Sequence, residues 1–150
     1  MPKTLVINEP FVKDFCRTQR WAARTRGRVL RAPDWLAYAT AVLEKSGVEV
    51  HLYDFPARNW GRKEFGELIF REQPEFVVLD STTPSIFSDI EYAKAVKTLA
   101  PHCKVIMVGP HVSSTAVETL RVAGGAIDVA AIGEYDLTVR DVILGYPDLK

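Results

Sequence analysis

Five apolar runs recur along the chain, at residues 4–8, 48–53, 76–79, 104–108 and 127–132. Most of them are continuous, whereas residues 48–53 alternate between apolar and polar positions. Continuous apolar runs of this length are typical of strands in a parallel sheet, because helices cover both faces of such a sheet. The pattern therefore predicts five strands, most of them buried on both sides.

Between these runs the apolar positions recur every three or four residues, which indicates helices over 33–46, 61–72, 84–100 and 135–144. Thr115 and Glu118 form a capping box that predicts the start of another helix, ending at Gly124. The apolar face of the first helix is expected to consist of Trp35, Leu36, Ala39, Val42 and Leu43. Alternating strands and helices predict a flavodoxin-like (Rossmann-like) three-layer α/β/α sandwich, with a five-stranded parallel sheet in the order 2-1-3-4-5.

Size and charge narrow the classes of function. The 150 residues suit one domain, and 47% of them are hydrophobic. The 19 basic and 19 acidic side chains cancel, so the overall charge gives no reason to expect nucleic acid as a partner. No apolar run reaches the roughly 20 residues of a membrane span. No secretory signal precedes the first strand, and we therefore expect a cytoplasmic protein.

The turns that follow the strands form the candidate site, because ligands of parallel α/β sheets bind at the carboxyl ends of the strands. The residues of these turns are, strand by strand, Asn8, Glu9 and Pro10; Ser81, Thr82, Thr83 and Pro84; Val108, Gly109, Pro110, His111 and Val112; and Gly133, Glu134 and Tyr135. The hydroxyls of residues 81–83 are expected to donate hydrogen bonds to a ligand, or to cap the helix that Pro84 opens. Gly109 lacks a Cβ and so allows the backbone to approach closely.

Three common functions of this fold fit the first turn poorly. Asn8-Glu9-Pro10 is neither the glycine-rich turn that binds a dinucleotide nor a Ser/Thr/Gly loop suited to a flavin phosphate. A phospho-accepting receiver domain would place acidic residues there and an aspartate after the third strand. Glu9 and Asp80 weakly mimic this pattern, but the lysine expected after a later strand is missing. A receiver-like signalling domain remains a further alternative.

The ordered set Ser81-Thr82-Thr83-Pro84, Val108-Gly109-Pro110-His111 and Ile132-Gly133-Glu134 resembles the N-terminal cobalamin-binding domain of B12-dependent radical SAM enzymes. In that family the fourth strand typically ends in Gly-Gly-Pro-His and the fifth in Gly-Glu. Residues 43–50 also look like the family's first helix and second strand. The resemblance extends from Thr4 to about Leu144.

This resemblance implies that cobalamin is the cofactor and that the residues of the four turns contact it. B12 domains of the methionine-synthase type carry Asp-x-His-x-x-Gly after the first strand, and the histidine binds cobalt. Residues 9–13 contain no histidine, so a protein ligand to cobalt is expected to be absent. We expect His111 to contact the cofactor or to hydrogen-bond locally, and no residue is predicted to bind a metal. A degenerate relative that keeps the fold as a docking scaffold is the alternative.

The resemblance also implies a catalytic domain in the same polypeptide. Radical SAM chemistry uses S-adenosylmethionine and a [4Fe–4S] cluster held by three closely spaced cysteines. Cys16 and Cys103 cannot supply that motif. We therefore expect a C-terminal radical SAM domain outside this chain, which carries out methyl transfer or carbon-skeleton modification, and we expect the chain alone to bind cobalamin without catalysing a reaction.

Residues 9–32 form a long insertion at a place where a connection of about 2–6 residues is usual. The segment is rich in arginine, at positions Arg17, Arg20, Arg24, Arg26, Arg28 and Arg31. Helical spacing of Phe11, Phe15, Gln19 and Ala22 predicts a short extra helix. We expect the insertion to pack against another domain or to meet an anionic substrate, rather than to bind nucleic acid.

Overall fold

A computed structural model describes residues 1–18, 22–24 and 30–145 of the chain. Its main sheet is parallel and consists of β1 (Lys3–Asn8), β4 (Glu49–Asp54), β5 (Phe76–Leu79), β6 (Lys104–Met107) and β7 (Val129–Ala130). The spatial order is β4-β1-β5-β6-β7. Numbered along the chain, these five strands have the order 2-1-3-4-5, so the predicted topology is confirmed.

Helices cover both faces of this sheet. They are α1 (Asp34–Lys45), α2 (Phe55–Arg58), α3 (Arg62–Glu72), α4 (Ile86–Leu99), α5 (Pro110–Ala123) and α6 (Asp136–Gly145). One core lies between the sheet and α2–α5, and a second lies between the sheet and the pair α1 and α6. In β1, Leu5 and Ile7 face the first core and Val6 faces the second, and all three are fully buried. In the described part of the chain, no helix has the length and apolarity needed to cross a bilayer.

The start of α5 differs from the prediction. The helix begins at Pro110 rather than at the capping box of Thr115 and Glu118, because a proline fits the first helical position and Gly109 turns the chain into it. Thr115 lies inside the helix at a kink, with φ −139° and ψ 40°. Its hydroxyl donates to the carbonyl of His111 at 2.9 Å. The capping-box prediction is therefore wrong. Pro110, His111 and Val112, which were expected in a turn, lie at the start of the helix.

The insertion after β1 also differs from the prediction. Two short strands, β2 (Phe15–Cys16) and β3 (Ala23–Arg24), pair antiparallel where an extra helix was expected. Phe15 is buried, with its ring 4.8 Å from that of Phe11. The prediction of a helix is wrong for this pair, because the spacing of the aromatic residues reflects packing of the turn rather than helical periodicity. Gln19, Arg20, Arg26 and Arg28 lie outside the described residues.

Candidate functional site

The side chain of Ser81 joins the turn after β5 to the turn after β6. Its hydroxyl donates to the carbonyl of Val108 at 2.6 Å and accepts from the backbone N–H of Val112 at 3.3 Å. The carbonyl of Ser81 accepts from the N–H of His111 at 3.4 Å. Because Ser81 is fully buried and its one hydroxyl proton goes to Val108, this residue holds the two turns together from inside.

Gly109 makes the contact between these turns possible. Its φ is +101°, in the left-handed region that favours glycine. A Cβ at this position would overlap the carboxylate of Asp80 and lie 2.6 Å from the carbonyl oxygen of Ser81. The lack of a Cβ at Gly109 predicted that another group could approach its backbone closely. In the structure that group is the turn after β5, at Asp80 and Ser81.

Asp80 directly follows β5, and its carboxylate points inward. The residue is 8% exposed, and its Oδ1 accepts from the N–H of Ser81 at 2.8 Å. Burial raises the pKa of Asp80 to about 6, although the nearby Arg17 guanidinium opposes the rise. A carboxylate held in this way is poorly placed to attack a phosphodonor, which argues against a receiver function.

Thr83 and His111 lie at the surface end of the same two turns, whereas Thr82 is buried. Thr83 is exposed, and its hydroxyl lies 3.1 Å from Nδ1 of His111. This contact is a hydrogen bond between one ring nitrogen of His111 and the turn after β5. Local hydrogen bonding was one of the two roles expected for His111, and the Thr83 contact provides it.

Ser113 connects the turn after β6 to the turn after β7. Its hydroxyl donates to the carbonyl of Gly109 at 2.9 Å and accepts from the N–H of Gly133 at 2.9 Å. Next along the chain, Glu134 is exposed and Tyr135 is buried, and burial raises the pKa of the Tyr135 phenol. Sequence reasoning missed Ser113, because a serine within a helical pattern carries no signal that its side chain reaches a neighbouring turn.

Two clefts open at this edge of the sheet. The first, here called the Thr82 cleft, has a volume of about 570 Å³ and is lined by Thr82, Thr83, Pro84, Pro110, Arg17, Thr18, Ala22, Arg31, Asp34 and Trp35. The second, here called the Tyr135 cleft, has a volume of about 590 Å³ and is lined by Trp35, Tyr38, Gly133, Glu134, Tyr135 and Asp136. Both are within the usual size range of small-molecule sites. Thus the turns after β5, β6 and β7 all contribute to the lining of open space.

Trp35 borders both clefts. It was expected on the apolar face of the first helix, but it is 60% exposed, whereas Leu36, Ala39 and Leu43 are buried as predicted. The core interpretation of Trp35 is therefore wrong. Helical spacing does not distinguish a tryptophan in the first turn that lies over a cleft from one that faces the core.

The turn after β1 faces the interior instead. Glu9 is fully buried, and its Oε2 accepts from the N–H of Asp80 at 3.1 Å. The Asn8 side chain donates to Asp54 Oδ1 at 2.9 Å and accepts from Arg17 Nη1 at 3.3 Å. The polar side chains of the first turn thus have partners within the protein.

Arg17 forms a buried ion cluster around this turn. It is 5% exposed and lies between two carboxylates, with Nη2 2.7 Å from Asp89 Oδ1 and 3.8 Å from Glu9 Oε1. Nη1 also donates to the carbonyl of Glu9. Burial alone would lower the pKa of Arg17, but the charges of Glu9 and Asp89 raise it. Burial raises the pKa of Glu9 well above its ordinary value, against the opposing charge of Arg17. One arginine of the insertion therefore has a structural partner set, which the sequence did not reveal.

Metal ligands are not grouped at this edge. Among residues 1–18, 22–24 and 30–145, no three His, Cys, Asp or Glu side chains are arranged to hold a metal ion. Cys16 and Cys103 are free and buried, and burial raises the pKa of the Cys103 thiol to about 12. The site offers hydroxyls, backbone groups and aromatic surface to a ligand.

Comparisons with known proteins agree with this architecture. The family model described as B12 binding domain matches residues 32–143. An uncharacterized methyltransferase of Pyrococcus horikoshii is 27% identical over 111 residues, which make up 74% of this chain. The matched part is 24% of that methyltransferase's length, so the chain corresponds to about a quarter of this relative.

Solved structures share the fold. A response regulator of Thermotoga maritima has a TM-score of 0.62 and 12% identity, with 96% of each chain covered. A CheY-like protein of Pseudomonas aeruginosa has a TM-score of 0.58 and 14% identity, covering 95% of this chain and 99% of that one. At such low identity the likeness concerns the flavodoxin/CheY-like fold and carries no statement about function.

Proposed function

The chain belongs to the B12-binding domain family, and from this premise we propose that it is the cobalamin-binding module of a larger enzyme. The observation that carries the proposal is the pair of clefts that meet at Trp35, at the carboxyl ends of the strands. Cobalamin combines a flat corrin ring, bordered by amides, with a nucleotide tail that ends in an aromatic base. Two adjoining clefts can receive these two parts.

The linings of the clefts suit different parts of the cofactor. The lining of the Thr82 cleft includes the exposed residues Thr83, Pro84 and Pro110, a hydroxyl beside two apolar rings, which suits the edge of a corrin ring. The Tyr135 cleft contains the aromatic residues Trp35, Tyr38 and Tyr135, against which a flat base can stack. We propose that the ring occupies the first cleft and the tail the second. Cobalamin would supply a cobalt centre able to carry a methyl group.

Ser81, Val108 and Val112 would act beneath this site, because their side chains are buried and shape the floor. Gly109, Gly133 and Ser113 would set the distances between the turns after β5, β6 and β7. Asn8 and Glu9 would contribute through the buried Arg17 cluster. Pro10 lines a separate small cleft of about 90 Å³, together with Phe11, Leu30 and Trp60.

We propose that cobalt receives no ligand from this domain. Residues 9–13 contain no histidine. His111, at the site, has Nδ1 near Thr83 and follows β6 rather than β1. The spectrum of bound hydroxocobalamin should accordingly lack the signature of cobalt-bound imidazole from protein, in the wild type and in His111→Phe alike.

The larger enzyme is proposed to be a radical SAM methyltransferase or carbon-skeleton-modifying enzyme. The support is the resemblance of the turns to that family's pattern and the partial match to a methyltransferase about four times longer than the matched segment. S-adenosylmethionine and a [4Fe–4S] cluster would belong to its C-terminal domain. Reading the coding frame beyond Lys150 for a Cys-x-x-x-Cys-x-x-Cys motif tests this part of the proposal.

Titration of the purified chain with hydroxocobalamin tests cofactor binding. The expected result is a shifted corrin absorption spectrum that saturates at one cofactor per chain. Absence of binding, both for this chain and for the complete enzyme that contains it, would refute the proposal. That outcome would favour the alternative of a degenerate docking scaffold.

A matched pair of substitutions locates the binding. Thr83→Trp fills the Thr82 cleft from an exposed position and should abolish or strongly weaken binding. Thr98→Trp makes the same change at an exposed position near the other end of α4, roughly 18 Å along the helix axis from its start, and should bind like the wild type. Equal affinities for the two variants would place the cofactor elsewhere.

A further inference from the structure

The Tyr135 cleft is lined by aromatic side chains from α1 and by carboxylates from the turn into α6. Trp35 and Tyr38 lie three residues apart on α1 and are 60% and 64% exposed. Residues three apart are neighbours on the surface of a helix, so these two side chains are adjacent. Glu134 and Asp136 line the cleft from the turn and from the first position of α6. A ligand in this cleft therefore meets aromatic rings and carboxylates together.

The two carboxylates of this cleft have no cation beside them. Within residues 1–18, 22–24 and 30–145, no lysine, arginine or histidine side chain pairs with Glu134 or Asp136. Arg140, one helical turn after Asp136, binds Asp141 instead, with Nη2 2.6 Å from Oδ1. The helix dipole favours an acidic residue at the start of α6, which accounts for Asp136 but not for Glu134 in the exposed turn before it. The cleft thus carries negative charge that the described residues do not balance.

Tyr135 adds an unpartnered polar group to the same lining. The residue is 6% exposed, and its hydroxyl has no hydrogen-bond partner among the residues that the structure describes. Burial raises the pKa of the phenol, so the hydroxyl keeps its proton and supplies no third negative charge. A buried hydroxyl that lines a cleft without a protein partner points to a ligand as its partner.

The Thr82 cleft has a different charge. Its lining includes Arg17 and Arg31 beside one carboxylate, that of Asp34, whereas the lining of the Tyr135 cleft holds carboxylates alone. An anionic group such as a phosphodiester is therefore repelled by the Tyr135 cleft. An aromatic ring with a positive charge is attracted to its carboxylates and also makes stacking and cation–π contacts with tryptophan and tyrosine.

We propose that the Tyr135 cleft takes an aromatic ring that carries a positive charge, and that the base of the cobalamin tail enters it with a proton on its free ring nitrogen. The second part rests on the proposed function, whereas the first rests on the lining of the cleft alone. Trp35 and Tyr38 provide the aromatic contact, and Glu134 and Asp136 select for the charge. The proton comes from the solvent when the base enters the cleft.

Two small molecules of the same shape test the selectivity of the cleft without cobalamin. N,N′-dimethylbenzimidazolium is a permanent cation, and the isosteric dimethylindole is neutral. NMR titration of the chain at fixed ionic strength should show the cation binding about tenfold more tightly than the neutral ring. Glu134→Gln and Asp136→Asn should each weaken binding of the cation about threefold and leave that of the neutral ring unchanged. Asp141→Asn removes the same charge from α6 outside the cleft and should bind like the wild type.

The cofactor itself tests the second part. Hydroxocobalamin should bind the wild type more tightly in mildly acidic than in neutral solution, and Glu134→Gln should reduce this difference. Cobinamide, which lacks the tail, should show no such difference between the two proteins, and this comparison removes the effect of groups such as Asp80 that titrate beneath the site. Thermal unfolding of each variant shows that the affinities refer to folded protein.

Equal affinities for the cation and the neutral ring would overturn the selectivity of the cleft while leaving the cobalamin site intact. The same pH dependence for hydroxocobalamin and cobinamide would overturn entry of a protonated base. If the wild type binds the small cation selectively but binds no hydroxocobalamin, the proposed function fails and the selectivity of the cleft stands. The failure of each proposal is thus seen in a different titration.

Discussion

The turn after β1 and the turn after β5 occupy equivalent places at the carboxyl edge of the sheet, but only the second ends in exposed residues, Thr83 and Pro84. Asn8 and Glu9 bind Asp54, Arg17 and the backbone of Asp80 inside the protein. Residues 82–84 line an open cleft. Both turns are polar in sequence and both follow buried strands. Position at the ligand edge of a sheet therefore does not by itself make a residue part of a binding surface.

Arg17 accounts for this difference. A buried carboxylate is costly unless a cation or hydrogen-bond donors accompany it. The insertion after β1 folds back and brings Arg17 between Glu9 and Asp89, which keeps the polar groups of the first turn inside. Residues 82–84 carry no charge that would need such a partner inside the protein, and Thr83 and Pro84 are exposed.

The largest effect is expected for Arg17→Met. Removing the guanidinium leaves Glu9 and Asp89 buried without their cation, which should lower the free energy of unfolding by about 3–5 kcal/mol. Urea unfolding followed by circular dichroism measures this loss. Arg24→Met, at an exposed position of the same insertion, should change stability by less than about 0.5 kcal/mol. Similar losses for both variants would show that the buried cluster is not what orders the first turn.

Gly109→Ala tests the opposite turn. The new Cβ would meet the backbone of Ser81 at a φ of +101°, so we expect a loss of about 3 kcal/mol and no cobalamin binding. Gly124→Ala is the control, since its φ of +58° is also left-handed but nothing lies within 4 Å of the added atom. It should lose about 1 kcal/mol and retain binding. Equal losses would mean that backbone strain, rather than contact between turns, governs position 109.

Much of this architecture could be predicted from the sequence. The apolar runs and the alternation of elements specified five parallel strands and their order, because burial of whole strands leaves a strong local pattern. The turns after β5, β6 and β7 could also be placed at one edge. The pairing of β2 with β3, the ion cluster of Arg17 and the bridging role of Ser113 depend on contacts between distant segments, which leave no periodic trace in sequence.

Asp80 lies where the turns after β1 and β5 meet, since its N–H donates to Glu9 Oε2. We expect the stability of the protein to depend on pH through the Asp80 carboxyl group. Its pKa is raised from 3.8 to about 6 by burial. The folded state therefore holds the Asp80 proton more tightly than the unfolded state does. The resulting stabilisation is complete below pH 3.8 and is lost as pH rises to about 6, by about 2–3 kcal/mol in total. Asp80→Asn does not titrate and keeps an oxygen for the N–H of Ser81.

The stability of Asp80→Asn relative to the wild type should accordingly increase by about 2–3 kcal/mol between pH 4 and pH 6.5. Unfolding in urea at several pH values measures the difference. Asp141→Asn, at an exposed position of α6, should show a difference that hardly changes with pH. A flat difference for Asp80→Asn as well would contradict a raised pKa at the junction of the two turns.

The smallest effect on stability, and the sharpest on function, is expected for Trp35→Ala. The side chain is 60% exposed, so its loss should change the free energy of unfolding by no more than about 0.5 kcal/mol. It borders both clefts, and removal of an aromatic contact worth about 1 kcal/mol should weaken hydroxocobalamin binding about fivefold. Phe70→Ala removes an aromatic side chain that is 69% exposed on α3 and lines neither of the two clefts, so it should leave affinity unchanged. Weaker binding with unchanged stability at position 35, set against a large loss of stability at position 17, would separate the surface that meets the cofactor from the buried cluster that supports it.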